Sequence, residues 1–277
     1  MKLGISALAR RVGSATPTVS LLVSMSSVAI AQDLDHHDHE GLHFSHPIVS
    51  ESPSPDTKVR VDYGFMDITE DAEGLSQNGL RLEAEYAFHP SFSIELDVPY
   101  RWQSRTSEST ESSLDNVSIS LKFANFAFAQ SGVLLGYGIE LGLPTGDSEK
   151  GIGSDHIVEF VPFLDFGYKR SRLELVSFLE FAIPTNQAED EEIETELEYN
   201  FSSLYHFGER LEGLVEFDGE TVLSGEEAGE TVFNLAPGLK YRFLRSRMLA
   251  FGVSAGLPLT NHREFDVRVL ASIFYHF

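Results

Sequence analysis

Phe265-Asp-Val-Arg-Val-Leu-Ala-Ser-Ile-Phe-Tyr-His-Phe277 ends the chain. Taken in twos from the terminus, one row reads Phe277, Tyr275, Ile273, Ala271, Val269, Val267, Phe265. The other row holds His276, Ser272, Arg268, Asp266 and Glu264, with Phe274 and Leu270 as its apolar members. A strict two-residue period puts one face of a β-strand against an apolar medium and the other against polar groups. A soluble sandwich can end on such a strand too, so the remainder of the chain has to decide.

Similar rows recur upstream. Leu80, Leu82, Ala84, Tyr86 and Phe88 alternate with Arg81, Glu83, Glu85 and His89, and Phe92, Ile94, Leu96, Val98 and Tyr100 with Ser93, Glu95 and Asp97. Leu197, Tyr199 and Phe201 alternate with Glu196, Glu198 and Asn200, and Leu211, Val215 and Phe217 with Glu212, Glu216 and Asp218. From Lys58 to Phe277 the chain divides into about twelve such strands, each of roughly 10 residues. Short turns at His89-Pro90, 127–131, 169–171, 207–210 and 244–246 alternate with longer polar loops near 67–78, 103–112, 144–155, 185–192 and 220–229. Short turns on one rim and long loops on the other are an outer-membrane pattern. Tyr100, Trp102, Tyr168, Tyr205, Tyr241, Phe243, Tyr275 and Phe277 fall at strand ends, where two aromatic girdles are expected. A final strand ending on Phe resembles the last strand of bacterial outer-membrane β-barrels, a family in which that residue is part of the signal read by the barrel-assembly machinery. The expected fold is therefore all-β, a transmembrane antiparallel up-and-down barrel of about twelve strands.

The amino terminus supports export. Lys2, Arg10 and Arg11 precede a short apolar run from Val19 to Ile30, and Ala29-Ile30-Ala31 fits small-x-small cleavage. Residues 1–31 read as a signal peptide, 32–57 as a His-rich periplasmic leader, partly extended and partly disordered, and 58–277 as the barrel. The run is too short for a spanning helix, and mean hydropathy is −0.10. Without residues 1–31 the chain carries a net charge of −26, which excludes nucleic acid as a partner and suits a channel that attracts cations. The absence of cysteine removes thiol chemistry. The expected location is the outer membrane, with its lipid, the assembly machinery and a small solute or metal ion as partners.

Two constellations carry candidate chemistry. In the leader, His36, His37, His39, His43 and His46 accompany Asp35, Asp38 and Glu40, a ligand set suited to Zn²⁺, Cu²⁺ or Ni²⁺. Their spacing defines no single site, and a solvated low-complexity leader is the competing reading. No cofactor is required. In the barrel, the inward rows are mostly acidic: Glu83, Glu85, Glu95, Asp97, Glu140, Glu159, Glu174, Glu194, Glu196 and Glu198, balanced in part by Arg81, Lys122, Lys240 and Arg268. Buried ions need partners or water, so these residues line either a narrow cation-preferring pore or a plugged, salt-bridged interior.

Leu141-Gly-Leu-Pro-Thr-Gly-Asp147 ends a strand with Pro and turns through Thr-Gly-Asp, and Gly136, Gly138 and Gly142 leave the inner face beside it without side chains, as room in the lumen. This run, with the His-rich leader and Ser52-Pro-Ser-Pro-Asp56, resembles the outer-membrane transporter family associated with the meta-pathway of phenol degradation. The resemblance implies a barrel and an uptake role. An enzyme is not expected: Ser154-Asp155-His156 are adjacent, whereas a triad is assembled from separated positions, and no G-x-S-x-G is present. A passive channel, metal-linked through its leader, is the leading expectation. A structural or adhesin-like barrel with a plugged lumen and a lipid-modifying enzyme are the alternatives.

Overall fold

The computed structural model describes residues 42–68, 74–105, 109–185, 194–225, 227–243 and 248–277. Residues 1–41, where a signal peptide and most of a leader are expected, and the turn at 244–246 lie outside the described residues. The strands are β1 (Lys58–Ile68), β2 (Leu75–His89), β3 (Phe92–Arg105), β4 (Glu111–Leu114), β5 (Ser118–Asn125), β6 (Val133–Gly142) and β7 (Glu159–Arg170). They continue as β8 (Leu173–Pro184), β9 (Glu196–His206), β10 (Leu211–Val222), β11 (Thr231–Arg242), β12 (Leu249–Pro258) and β13 (Val267–His276).

Each strand pairs antiparallel with its neighbours, and β1 closes the ring on β13, Lys58 opposite His276 through Asp67 opposite Val267. Phe277 adds a hydrogen bond from its N–H to the Thr57 carbonyl at 3.0 Å. β4 and β5 both pair with β3, in succession along it, and together occupy one place, so the closed barrel has twelve. The break lies opposite Pro99, which accepts a bond from the Asp115 N–H at 3.0 Å but has no N–H to return.

Alternation sets the two faces. Leu82, Leu96, Leu121, Leu164, Leu239 and Ile273 are exposed on the outer surface, while their polar neighbours turn inward. A soluble fold would not leave such a surface on every strand. Aromatic pairs sit at the strand ends next to the short turns: Tyr205 with Phe207, Tyr241 with Phe243, and Tyr275 with Phe277, ring centres 4.9 to 5.2 Å apart. Tyr100 and Trp102 pair toward the long-loop rim. Single cysteines at Leu82, Leu96 or Phe217 are expected to resist membrane-impermeant maleimide in intact membranes. Free labelling at all three would reverse the assignment of faces.

Two expectations need correction. Phe265, placed above in the outward row, lies before β13 begins and turns inside, buried beneath the Arg268 guanidinium at 4.8 Å. Residues 42–57, read above as a periplasmic leader, lie inside the barrel at its short-turn end. Phe44 and Ile48 are fully buried there, clustered with Ala124, Leu134, Val176, Leu204 and Leu214 of the wall. The wall residues are inward-facing apolar positions, so the alternation is broken where the plug needs an apolar bed.

Candidate functional site: a plugged lumen and an acidic vestibule

The plug has the composition of a loop and binds as one. Ser52-Pro-Ser-Pro offers little regular hydrogen bonding of its own, so the barrel wall supplies the partners. Three successive backbone N–H groups, from Ile48, Val49 and Ser50, point at the Glu216 carboxylate at 3.0 to 3.3 Å, and Ser202 Oγ donates to the same group at 3.0 Å. Such a row of amides is a built anion site, here filled by a side chain of β10. Ser45 N donates to Glu174 at 2.7 Å, while Lys240 and Lys169 donate to the His46 and His43 carbonyls at 2.6 and 2.7 Å. The wall is cut back where the plug comes closest: a Cβ at Gly167 would stand 2.6 Å from the Phe44 ring.

Much of the buried charge around the plug is paired, Asp165 beside Pro53 being an exception. Lys58 Nζ lies 2.6 Å from Glu83, 3.1 Å from Glu85, 3.5 Å from Glu51 and 3.6 Å from Glu95. Arg60 contacts Asp62 at 2.8 Å and Glu51 at 3.3 Å, and Lys122 approaches Glu85 at 3.6 Å. On the opposite wall His206 and Lys169 meet Glu174 at 2.7 and 2.8 Å, and Arg242 and Lys240 meet Glu212. Asp56 gathers three imidazoles on one oxygen: His276 Nδ1 at 2.7 Å, His46 Nε2 at 3.2 Å and His43 Nε2 at 3.3 Å. Burial opposes ionisation of Asp56, but the hydrogen bonds from His276, His43 and His46 outweigh it and hold the carboxyl well below the ordinary carboxylate range. Burial, with Lys58 alongside, pushes the His46 imidazole well below its ordinary value, leaving it neutral.

Beyond the plug lies a cavity of about 410 Å³, lined by Ile48 and Val49 of the plug and by Arg101, Asp115 and Glu264 toward the long-loop end. Three of its basic residues are bound to carboxylates: Arg81 to Asp97, Arg101 to Asp115, and Arg268 to Asp218 at 2.6 Å. Acid stays in excess on one wall. Glu180, Glu198 and Glu220 stand directly opposite one another across β8, β9 and β10. Carboxylate oxygens of Glu196, Glu198 and Glu220 lie within 4.8 Å of one another. Like charges directly opposite are destabilising unless water or a counter-ion screens them.

The expected site residues divide accordingly. Glu83, Glu85, Glu95, Glu174, Lys122 and Lys240 are buried in the plugged half; Asp97, Glu140, Glu159, Glu196, Glu198, Arg81 and Arg268 face the interior half-buried. Glu194 does not continue the row. It precedes β9 and accepts the Glu227 N–H at 3.0 Å, so the carboxylate run goes across strands rather than along one. The room expected above Gly136 and Gly138 is also taken: a Cβ at Gly138 would meet the Phe163 ring, and one at Gly136 the Asp165 side chain and the Pro53 carbonyl. His43 and His46 belong to the plug, whereas His36, His37 and His39 lie outside the described residues. Glu216, Asp56 and His276 are the contributors that spacing could not single out, since each partner lies far away in sequence.

The Leu141–Asp147 motif works as a clasp. Thr145 Oγ1 donates to the Asp115 carbonyl and accepts the Val117 N–H, at 2.9 and 2.8 Å, bridging the break between β4 and β5. Asn116 Oδ1 accepts the N–H of Gly146 and of Ser154. A Cβ at Gly146 would lie 2.6 Å from backbone atoms, so only glycine fits. Ser154 Oγ caps the turn, accepting the His156 and Ile157 N–H groups, while Asp155 and His156 pair with each other at 2.8 Å.

Among solved structures, an outer membrane channel from Pseudomonas putida F1 superposes with a TM-score of 0.67 at 11% identity, covering 85% of this chain and all of that one. The porin NanC gives 0.51 at 9% identity, over 80% and 98% of the two chains. The β domain of the Bordetella autotransporter BrkA gives 0.50 at 10% identity, over 80% and 99%. At these identities the likeness is one of fold alone, a closed antiparallel β-barrel. No protein of curated function matches the sequence. Residues 56–265 match a known family, and with most of its length under that match the chain belongs to the family described as "Putative MetA-pathway of phenol degradation".

Proposed function

We propose that this protein is a gated outer-membrane channel for a small cationic solute, in which residues 42–57 are the gate. The observation that carries the reading is Glu198 and Glu220, lining the cavity with Glu180 directly beside Glu198, above a plug that joins the wall covalently where Thr57 leads into β1 and is otherwise seated by hydrogen bonds, ion pairs and apolar contacts. Acidic walls concentrate cations at the mouth, and a plug held by hydrogen bonds and ion pairs is releasable as a unit. Entry is from the long-loop side and exit past the plug into the periplasm. The barrel-assembly machinery is the proposed partner in biogenesis, reading Phe277 at the exposed end of β13. The reading is non-enzymatic, in keeping with the hydroxyl of Ser154 being used as a turn cap.

Planar-bilayer recordings test it. The full chain is expected to rest mostly closed, and deletion of residues 42–54 to open it with cation-selective reversal potentials. In the deleted form, replacing Glu180, Glu198 and Glu220 together with Gln is expected to weaken that selectivity. Raising salt acts in the same direction, as the Debye length falls from about 10 Å at 0.1 M to about 3 Å at 1 M. Anion preference in the deleted form would overturn the cation reading. No conductance from a folded, plug-free barrel would assign the protein to the structural class instead.

A further inference from the structure

We infer that His43, His46 and Asp56 of the plug and His276 of the last strand form a site for a divalent transition-metal ion of the zinc class, and that the bound ion tethers the plug to the wall. Three imidazole nitrogens converge on Asp56 Oδ2 at 2.7 to 3.3 Å. The ligand atoms of His46, Asp56 and His276 all lie within 4.8 Å of one another, and tetrahedral ligands at about 2.0–2.2 Å from an ion stand about 3.4 Å apart, so these three close on the ion and His43, already on Asp56, swings in as the fourth. Three imidazoles with one carboxylate are a donor set that Zn²⁺ favours, whereas Mg²⁺ and Ca²⁺ favour oxygen. The rings are already arranged for it: the His46 and His276 centres lie 5.4 Å apart, and those of His43 and His46 6.4 Å.

Surrounding contacts support this assignment. His43 Nδ1 lies 2.8 Å from the Phe44 carbonyl, and donation there leaves Nε2 free to coordinate, the outer-shell bond that metal-binding histidines usually make. One contact must be given up. Lys58 Nζ is 3.1 Å from His46 Nδ1, which has to carry the proton once Nε2 binds the ion. Lys58 retains Glu83 and Glu85, and the carboxylates around it offset the added positive charge.

An ion bound here joins the gate to the barrel, because three ligands lie in the plug segment and the fourth in β13. It binds the seated plug better than the released one and shifts the balance toward closure, by ~100-fold at an ion concentration one hundred times its dissociation constant. This tether rests on the gate reading above; the metal site itself does not.

The test uses Co²⁺ as a spectroscopic probe on the full, folded chain carrying His36→Ser, His37→Ser and His39→Ser, which removes the upstream imidazoles. One equivalent of Co²⁺ is expected to give the strong visible bands of tetrahedral coordination, and Zn²⁺ to displace it. Asp56→Asn and His276→Gln, each confirmed as folded by heat-modifiable gel migration, are expected to weaken binding by at least ~100-fold, the upper end of the loss from an outer-shell change. Zn²⁺ is also expected to slow maleimide labelling of Ser50→Cys when all four ligands are present, but not in the His276→Gln background. Absence of the tetrahedral bands, or bands that survive both substitutions, would overturn the site. Bands with Zn²⁺-independent labelling would overturn the tether. A plug-free barrel that fails to conduct would sink the gate reading while leaving the Co²⁺ result standing.

Discussion

Replacing Glu216 with Ala is expected to release the plug. The Glu216 carboxylate is fully buried and is the shared acceptor of the Ile48, Val49 and Ser50 amides and the Ser202 hydroxyl. Hydrogen bonds to a charged group contribute about 1.5–3 kcal/mol each, and a buried donor left without a partner costs about 1–3 kcal/mol. Water entering the space returns part of that loss, so a net change on the order of 5 kcal/mol follows rather than the full sum. At about 1.4 kcal/mol per tenfold, the released population rises by roughly three to four powers of ten. The chain has no native cysteine, so Ser50→Cys is a clean reporter, protected from maleimide with Glu216 present and exposed without it. Glu216→Gln keeps one acceptor oxygen and is expected to fall between the two. Equal labelling rates in all three would show that the apolar contacts of Phe44 and Ile48 alone seat the plug.

Lys58→Met is expected to destabilise the barrel itself. Lys58 is a fully buried ammonium in reach of four carboxylates, and its removal leaves Glu51 and Glu83 to Arg60 and Glu85 to Lys122, at 3.3 to 3.6 Å, while Glu95 loses the ammonium beside it. Removing one partner from a buried ionic set costs about 3–5 kcal/mol, because the others stay desolvated without compensation. The folded band in heat-modifiable electrophoresis should vanish at lower temperature and lower urea than in the wild type. Adding Glu95→Gln to Lys58→Met removes one of the stranded charges and should recover part of the loss. Wild-type resistance in the single variant would mean that water reaches the cluster and solvates it.

Local chemistry made the barrel legible. Outer-facing residues such as Leu82, Leu96 and Ile273 have one environment, lipid, and a strand can satisfy it only by alternating, so period two is written into every strand. Backbone polar groups in a membrane must be satisfied within the sheet, which turns an even set of alternating strands into a closed ring. Turn and loop lengths, the aromatic strand ends and the start at Lys58 follow from the same constraint. The inward rows were legible as acidic but not as a map, because a carboxylate at Glu216 looks in sequence like one at Glu198. Their roles diverge only when one faces plug amides and the other faces two more carboxylates.

The plug was illegible for a related reason. Its backbone groups bond to Glu174, Glu216, Lys169 and Lys240, more than a hundred residues away, and no periodicity in a Ser-Pro segment announces partners of that kind. Polar composition alone reads as solvation, so the segment was expected in the periplasm. Likewise Phe265 belonged by spacing to the outward row, but the backbone turns before β13 begins and Arg268 covers its ring. His43 and His46 were visible as ligands, whereas Asp56 and His276 become their companions only because ring closure of β1 on β13 brings residue 276 beside the segment entering at Lys58. The sequence by itself determined a transmembrane barrel with an acidic interior, since alternation and charge are local properties of each strand. Tertiary structure alone decided that residues 42–57 fill the interior at the short-turn end, that a cavity lies beyond them, and that Asp56 meets His276, since those facts depend on contacts between segments far apart in the chain.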